Sequence, residues 1–211
     1  MVRAPADQLL VAYFDQDGSF AGSTFDDLPD NPSDRFCASD LLAASLLDVR
    51  FGPQAVRRLL ETGPNTFSRL LADIPDDVDL WNATADDLSP AYELWSAVRR
   101  LPGVGRTKTS KLLARKRPRL IPIVDSVIRN ALPLGEDSWM SLRATLTDDH
   151  IRERIEDVRP PRATSTISTL RLLDAATWMR HSNSRAAKNA RRSAGMDYSD
   201  NPGADGRISR G

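Results

Sequence analysis

From residue 39 onward, apolar positions recur every three or four residues and are interrupted by short clusters of Gly, Pro, Asn and Asp. That period is the signature of amphipathic helices. "SDLLAASLLDV" predicts a helix with Ser39 at its N-cap and Leu41, Leu42, Ser45, Leu46 and Val49 on one side. Gly52-Pro53 ends it and opens "PQAVRRLLE", which stops near Gly63-Pro64; "NTFSRLLADI" follows. "SPAYELWSAVRRL" predicts a helix with Ser89 as N-cap and Pro90 at the first helical position. "PGVG" breaks it and "RTKTSKLLARK" resumes. "RPRLIPI" is expected to be extended, because Pro118 and Pro122 bias their predecessors away from helix. "DSVIRNAL", "SWMSLRATL", "DDHIRERIEDV" and a long "STISTLRLLDAATWMRH" complete the helical series. Residues 9–14, "LLVAYF", fit either a short strand or the end of a helix, and "DQDGS" and "DDLPDNPSD" are loops.

The expected fold is therefore all-α or nearly so, with a short irregular N-terminal segment. Residues 1–182 are expected to form one domain, and 183–211, polar and rich in small residues, a disordered tail. No internal repeat is visible. No run of eighteen apolar residues exists, and the N-terminus lacks an apolar signal core, so a cytoplasmic protein is expected. A lone Cys37 excludes an internal disulfide and a cysteine cluster, and reads as a small buried hydrophobe.

Charge changes the picture. Lys+Arg and Asp+Glu are equal at 29 each, but they are segregated. Residues 1–95 hold 6 basic and 17 acidic residues, net −11; residues 96–124 hold 9 basic and none acidic. Residues 125–211 hold 14 basic and 12 acidic. A block of uncompensated positive charge is a polyanion footprint, or else a solvated basic face.

The block surrounds "LPGVGRTKTSKLL", a helix, a tight turn and a second helix. Gly103 and Gly105 permit positive φ and close approach of another backbone. The N–H groups of Gly105, Arg106 and Thr107 lack intrahelical partners and form an anion site strengthened by the helix dipole. Pro102, Gly103, Val104, Gly105, Arg106, Thr107, Lys108, Lys111, Arg115, Lys116 and Arg117 are thus the expected phosphate-contacting set. A nucleotide P-loop needs a preceding strand and Gly-Lys-Ser/Thr, which this sequence lacks. An ordinary αα-turn with glycine at its C-cap accounts for one glycine only.

The hairpin, together with "VDSVIR" at 124–129, resembles the helix-hairpin-helix DNA glycosylase superfamily, whose members include endonuclease III and the adenine glycosylase paired with 8-oxoguanine. The interval from Leu101 to Asp125 equals that family's interval from hairpin leucine to catalytic aspartate. "SDLLAASLLDVRFGP" is more weakly similar to its buried helix and wedge loop. The order "FDDLP…DLLAASLLDV…LPGVG…KLLARKRPRLIPIVDSV" also resembles an uncharacterised family of small bacterial proteins, which supplies no function.

The resemblance implies a helix-hairpin-helix glycosylase-like helical bundle, a monomeric partner of double-stranded DNA associated with the nucleoid, and base removal with Asp125 as the catalytic carboxylate. Such enzymes extract the nucleotide from the stack before acting on it. A carboxylate near the sugar stabilises the positive charge that builds as the glycosidic bond breaks. Without that resemblance, Asp125 reads as a helix N-cap. Bifunctional members carry a lysine where Thr107 stands, so a monofunctional enzyme leaving an abasic site is expected. Lys108 is one place off, about 100° around the helix, and is the second catalytic candidate. Arg50 and Phe51 are the wedge candidates. A damaged or modified base is the expected target, a bulky modified cytosine or purine among them, in repair or in defence against modified foreign DNA. No cofactor is implied beyond a monovalent cation on the carbonyls of Arg99, Leu101 and Val104. Trp81, Trp95, Trp139 and Trp178 can stack a base but read first as core, and His150 and His181 suggest no chemistry. The competing expectations are a non-catalytic DNA-binding hairpin module and an interaction domain whose basic block meets an acidic partner.

Overall fold

The computed structural model describes residues 5–161, 163 and 167–196. Among these the chain is helical throughout, with twelve α-helices and no strand. The first five are α1 (Pro5–Tyr13), α2 (Gly22–Asp27), α3 (Ala38–Leu46), α4 (Pro53–Arg57) and α5 (Pro64–Ala72). The hairpin helices are α6 (Ala85–Arg99) and α7 (Arg106–Lys116). Then come α8 (Ser126–Ala131), α9 (Ser138–Leu146), α10 (Asp149–Glu156), α11 (Thr169–His181) and α12 (Arg185–Ser193). A π-helical turn at Arg58–Thr62 prolongs α4, and a 3₁₀ turn covers Leu80–Asn82. No helix among the described residues is long and apolar enough to cross a membrane.

The predicted helices are present, with differences at their ends that trace to caps. "LLVAYF" belongs to α1, so its helical reading holds. Helix α3 is capped by Cys37 rather than Ser39, because the Asp40 carboxylate accepts from the Cys37 N–H at 2.8 Å. The Cys37 thiol is half-buried and donates to the Asp30 carbonyl, so it is more than a small hydrophobe. Helix α6 begins at Ala85, earlier than the Ser89-Pro90 pair suggests. Thr84 and Asp87 form a reciprocal capping box there, and Pro90 lies inside the helix. Pro90 forgoes only the bond to exposed Asp86, so the box prevails.

Two larger corrections concern exposure. Leu42 and Leu46, expected on the buried side of α3, are 55 % and 39 % exposed; Ala43, Ala44 and Asp40 form the buried side instead. The tail expected from residue 183 contains α12. Its Ala187 is fully buried, and Ala190 and Ala194 pack against the cluster formed by α1 and α11. Arg191 anchors it by donating to the carbonyls of Met179 and Ser182. Alanine spacing and a Ser184 N-cap were the local signals for this helix. The tail's last part, 197–211, lies outside the described residues.

The main core joins α4 to α9, with Leu59, Leu71, Leu80, Leu94, Val98, Leu112 and Leu113 inaccessible. A second cluster joins α1, α11 and α12 through Leu9, Leu10, Phe14, Leu172, Ala175 and Met179. Helix α7 puts Leu112 and Leu113 into the main core, and its Ala114 meets Phe25, Ala43 and Ile123 in a small third cluster.

Candidate active site between α7, α8 and α11

The hairpin turn is anchored from inside. Val104 is buried in the main core and half-buried Leu101 packs on it, which leaves Pro102, Gly103, Gly105 and Arg106 exposed. Gly103 has φ +71°, which a residue with a Cβ adopts only under strain. Gly105 is the extended N-cap of α7, with open space where a Cβ would stand. The first-turn N–H groups of α7 have no intrahelical acceptor. The turn thus keeps the exposed backbone donors expected of it, while the Val104 side chain is withdrawn from any surface contact.

Four of the nine cations of the basic block are also withdrawn. Lys111, Arg115, Lys116 and Arg117 are all less than a tenth exposed. Their assignment as phosphate contacts is corrected. Arg115 donates to the carbonyls of Asp26 and Leu28. Lys116 pairs with fully buried Asp40 at 2.5 Å and donates to Asn31 Oδ1 and the Pro32 carbonyl, both at 2.9 Å. Arg117 donates to the carbonyls of Ile74 (2.9 Å), Ser33 (3.0 Å) and Leu71 (2.5 Å). The cause lies in residues 28–37, a loop whose carbonyls lack helical partners and need donors where they are buried.

Lys108 turns back, and its ammonium donates to the Gly103 carbonyl at 2.8 Å. Lys111, one helical turn beyond Thr107 and on the same face, enters a cavity instead. This cavity of about 190 Å³ lies between the end of α3, α7, the start of α8, α11 and the start of α12. Asp125 lies in its wall, 7 % exposed. Asp125 Oδ1 accepts from the N–H groups of Val127 (2.9 Å) and Ile128 (3.1 Å), capping α8. Asp125 Oδ2 lies 3.5 Å from Lys111 Nζ, and that ammonium also donates to the Leu47 carbonyl at 2.7 Å. The carboxylate is therefore both a cap and a cavity wall. One oxygen is committed to α8, and the other faces a cation.

The same cavity holds Asp174 from α11, a residue the sequence reading passed over. Arg171 bonds Asp174, donates to Asp26 Oδ2 at 3.1 Å and to the Tyr13 hydroxyl at 2.7 Å. One guanidinium thus serves two carboxylates. Burial holds the carboxyls of Asp26 and Asp174 above the usual range, that of Asp174 at about 6, where the nearby Asp125 charge adds to the effect and Arg171 opposes it. Two cations, Lys111 and Arg171, face the carboxyl groups of Asp26, Asp125 and Asp174, and below about pH 6 a proton on Asp174 balances that set. The signal available in sequence was an Arg-x-x-Asp pair within an otherwise apolar helix.

Aromatic residues form the other side. Tyr13, Phe20 and Trp178 line the cavity, with ring centroids 5.7 Å apart for Tyr13–Phe20 and 6.3 Å for Phe20–Trp178. Of the four tryptophans, only Trp178 is in this cavity wall. Trp139 is buried in the main core, with Trp95 edge-on to it, and Trp81 carries the Arg152 guanidinium. Leu46, Leu47 and Asp48 border the cavity, and Asp48 has a left-handed backbone at φ +61°. Of the wedge candidates, Arg50 is exposed two residues past Asp48, whereas Phe51 packs against the main core. Leu46, expected on the apolar side of α3, is instead exposed at the cavity.

A family model covers most of the chain, residues 6–181. The chain belongs to a family of unknown function, DUF6308. The match takes in α7, α8 and α11, and so every charged residue of the cavity, but ends before α12. Comparison with curated proteins and with solved structures gave no match. No group of His, Cys, Asp and Glu suited to a metal ion exists among the described residues. Near the hairpin, a second hollow of about 350 Å³ carries the arginines Arg99, Arg106 and Arg129 together with Glu136 and Asp137. The Asp137 carboxylate is already engaged by the Tyr92 hydroxyl at 2.7 Å.

Proposed function

We propose that this protein removes a base from DNA as a monofunctional glycosylase, leaving an abasic site. The observation that carries this reading is the position of Asp125. The carboxylate lies in the wall of a small aromatic-walled cavity, with the oxygen not used in the α8 cap paired with Lys111, one turn along α7 from an exposed glycine hairpin. The hairpin N–H groups and Arg106 hold the backbone of duplex DNA, and the target nucleotide turns into the cavity. As the bond from the sugar to the base breaks, the base departs with the electron pair and the sugar becomes positively charged. Asp125 Oδ2 stabilises that charge, water adds to the sugar carbon, and the carboxylate accepts its proton. Asp174, where it carries a proton below about pH 6, donates a hydrogen bond to the departing base. The aromatic side chains stack on it.

The volume sharpens the substrate. Pockets for drug-sized ligands run to roughly 300–1,000 Å³, so about 190 Å³ suits a single small heterocycle rather than a bulky modified base. Lys108 is engaged at the Gly103 carbonyl, and the Lys111 ammonium is held between a carbonyl and a carboxylate, which favours base removal without strand nicking. The Lys108 ammonium already puts positive charge on the hairpin, so we propose that it supplies what a monovalent cation on the carbonyls of Arg99, Leu101 and Val104 would supply. Exposed Leu46, at the cavity, and exposed Arg50, two residues past Asp48, fill the vacated stack.

A non-catalytic hairpin module is favoured by one observation, the engagement of Asp125 as a cap of α8 and partner of Lys111. Replacing Asp125 by Asn separates the two readings, because asparagine caps a helix as well as aspartate does. Loss of abasic sites with duplex affinity retained supports catalysis. Equal base release by Asp125→Asn and the parent protein contradicts it.

A further inference from the structure

The helix that begins at the cavity, α12, carries a second group of cations, with Arg185 and Arg192 exposed. Residues 175–196 contain Arg180, Arg185, Lys188, Arg191 and Arg192 and no Asp or Glu. Helix α12 sorts its residues by face. Ala187, Ala190 and Ala194 turn inward to the α1–α11 cluster, while Arg185, Lys188 and Arg192, at i, i+3 and i+7, share the outward stripe. Arg185 and Arg192 are exposed and Lys188 is half-buried. Arg191 is set apart from them by its bonds to Met179 and Ser182. The helix begins at the cavity, where Ser184 and Ala186 form part of the wall that also holds Asp125. The surrounding field is positive as well: burial first, then the charges of Arg180 and Arg191, hold the His181 imidazole below its ordinary range.

We propose that α12 is a phosphate-binding helix that grips the DNA backbone on the side of the cavity away from the hairpin, through Arg185, Lys188 and Arg192. This rests on the reading of the protein as a DNA-binding enzyme and adds a contact surface that the hairpin does not supply. Four of the nine cations in the 96–124 block are buried structural groups, so the accessible charge there is reduced to Arg99, Arg100, Arg106, Lys108 and Arg119, and α12 adds to it. A nine-residue helix is about 13 Å long, the span of several phosphates on a duplex. A target nucleotide entering between hairpin and α12 has its flanking phosphates held from both sides. The two grips act independently of the chemistry at Asp125.

The test is the salt dependence of binding to a fluorescein-labelled 20-base-pair duplex, measured by anisotropy across a sodium chloride series. The full chain is compared with the triple variant Arg185→Ala, Lys188→Ala, Arg192→Ala. Each lost phosphate contact removes about 0.9 from the slope of log K against log salt, so the triple variant should show a slope flatter by roughly 2 to 3. The variant Arg185→Lys, Arg192→Lys should keep the parental slope, which separates charge from folding. A triple variant with the parental slope and affinity overturns the proposal. So does a parent protein that binds vesicles of phosphatidylserine but not the duplex. Abasic-site formation is scored in the same samples. A flattened slope in a protein that releases no base retains α12 and rejects the catalytic reading; an unchanged slope with base release intact does the reverse.

Discussion

The two densest groups of cations in this protein have opposite fates. Lys111–Arg117 on α7 lie inside the molecule, and Arg185, Lys188 and Arg192 on α12 lie at its surface. In sequence the first group looks like the polyanion site and the second like part of a solvated tail. The difference lies in what surrounds each. The end of α7 faces residues 28–37, whose carbonyls have no helix or sheet to satisfy them, together with the buried carboxylate of Asp40. Long side chains with several donors fill that need. Helix α12 instead packs by alanine, which is too short to reach past its neighbours and leaves the charged face outside. Local charge density therefore says little about a partner until the acceptors within reach of it are known.

The largest expected effect comes from breaking the buried group. Lys116→Ala leaves Asp40 without its closest partner in a fully enclosed site, and should lower unfolding free energy by about 3 to 5 kcal/mol in denaturant titration. Replacing both, as Asp40→Leu with Lys116→Met, should recover a large part of that loss, because no charge remains buried. A Lys116→Ala protein as stable as its parent would show that the end of α7 is not structural. Arg117→Ala comes next. It strands the carbonyls of Ile74 and Ser33 and takes one of the donors from that of Leu71, and a loss of about 2 to 4 kcal/mol is expected in the same measurement.

Asp174 gives a smaller effect with a distinct pH signature. Its carboxyl is raised to about 6 against an unfolded value near 4, so the protonated form favours the folded state. That contribution is complete below about pH 4 and is lost as the pH rises through about 6. Relative to Asp174→Asn, which does not titrate, the parent should lose stability on the order of 2 kcal/mol between pH 4 and pH 7. A stability difference that does not vary with pH would show that Asp174 carries no proton in the folded cavity. The smallest effect on stability belongs to α12. The triple alanine variant there should unfold within about 0.5 kcal/mol of the parent, in contrast to any single change at Lys116 or Arg117.

Much of the fold was legible because it rests on local rules. Helix α7 begins and ends where its Gly105 and Arg117 boundaries predict, and Asp125 caps α8 as its position suggests. Ends set by reciprocal side-chain bonds were harder. The Cys37–Asp40 and Thr84–Asp87 caps compete with plausible Ser39 and Ser89 alternatives, and only the tertiary setting selects between them. At the candidate site, Asp125 was singled out by the family resemblance, whereas its local pattern read only as a helix N-cap. Lys111 was visible as a charge but not as a cavity residue, because its destination depends on how α3 and α8 pack beside α7. Asp174 and Phe20 come from distant segments and meet Asp125 only in three dimensions. Pattern along the chain carries no record of such meetings.

The most direct measurement of the central claim is base release by Asp125→Asn. The parent and the variant are incubated with genomic DNAs carrying different natural modifications and induced lesions, alkali-labile sites are counted, and duplex affinity is measured in parallel. The account predicts that the parent creates such sites on at least one DNA, and that the variant creates roughly 10²- to 10³-fold fewer at unchanged affinity, the range seen when one transition-state stabiliser is removed. Equal site formation by both proteins, or none by the parent on any of the DNAs, would contradict it.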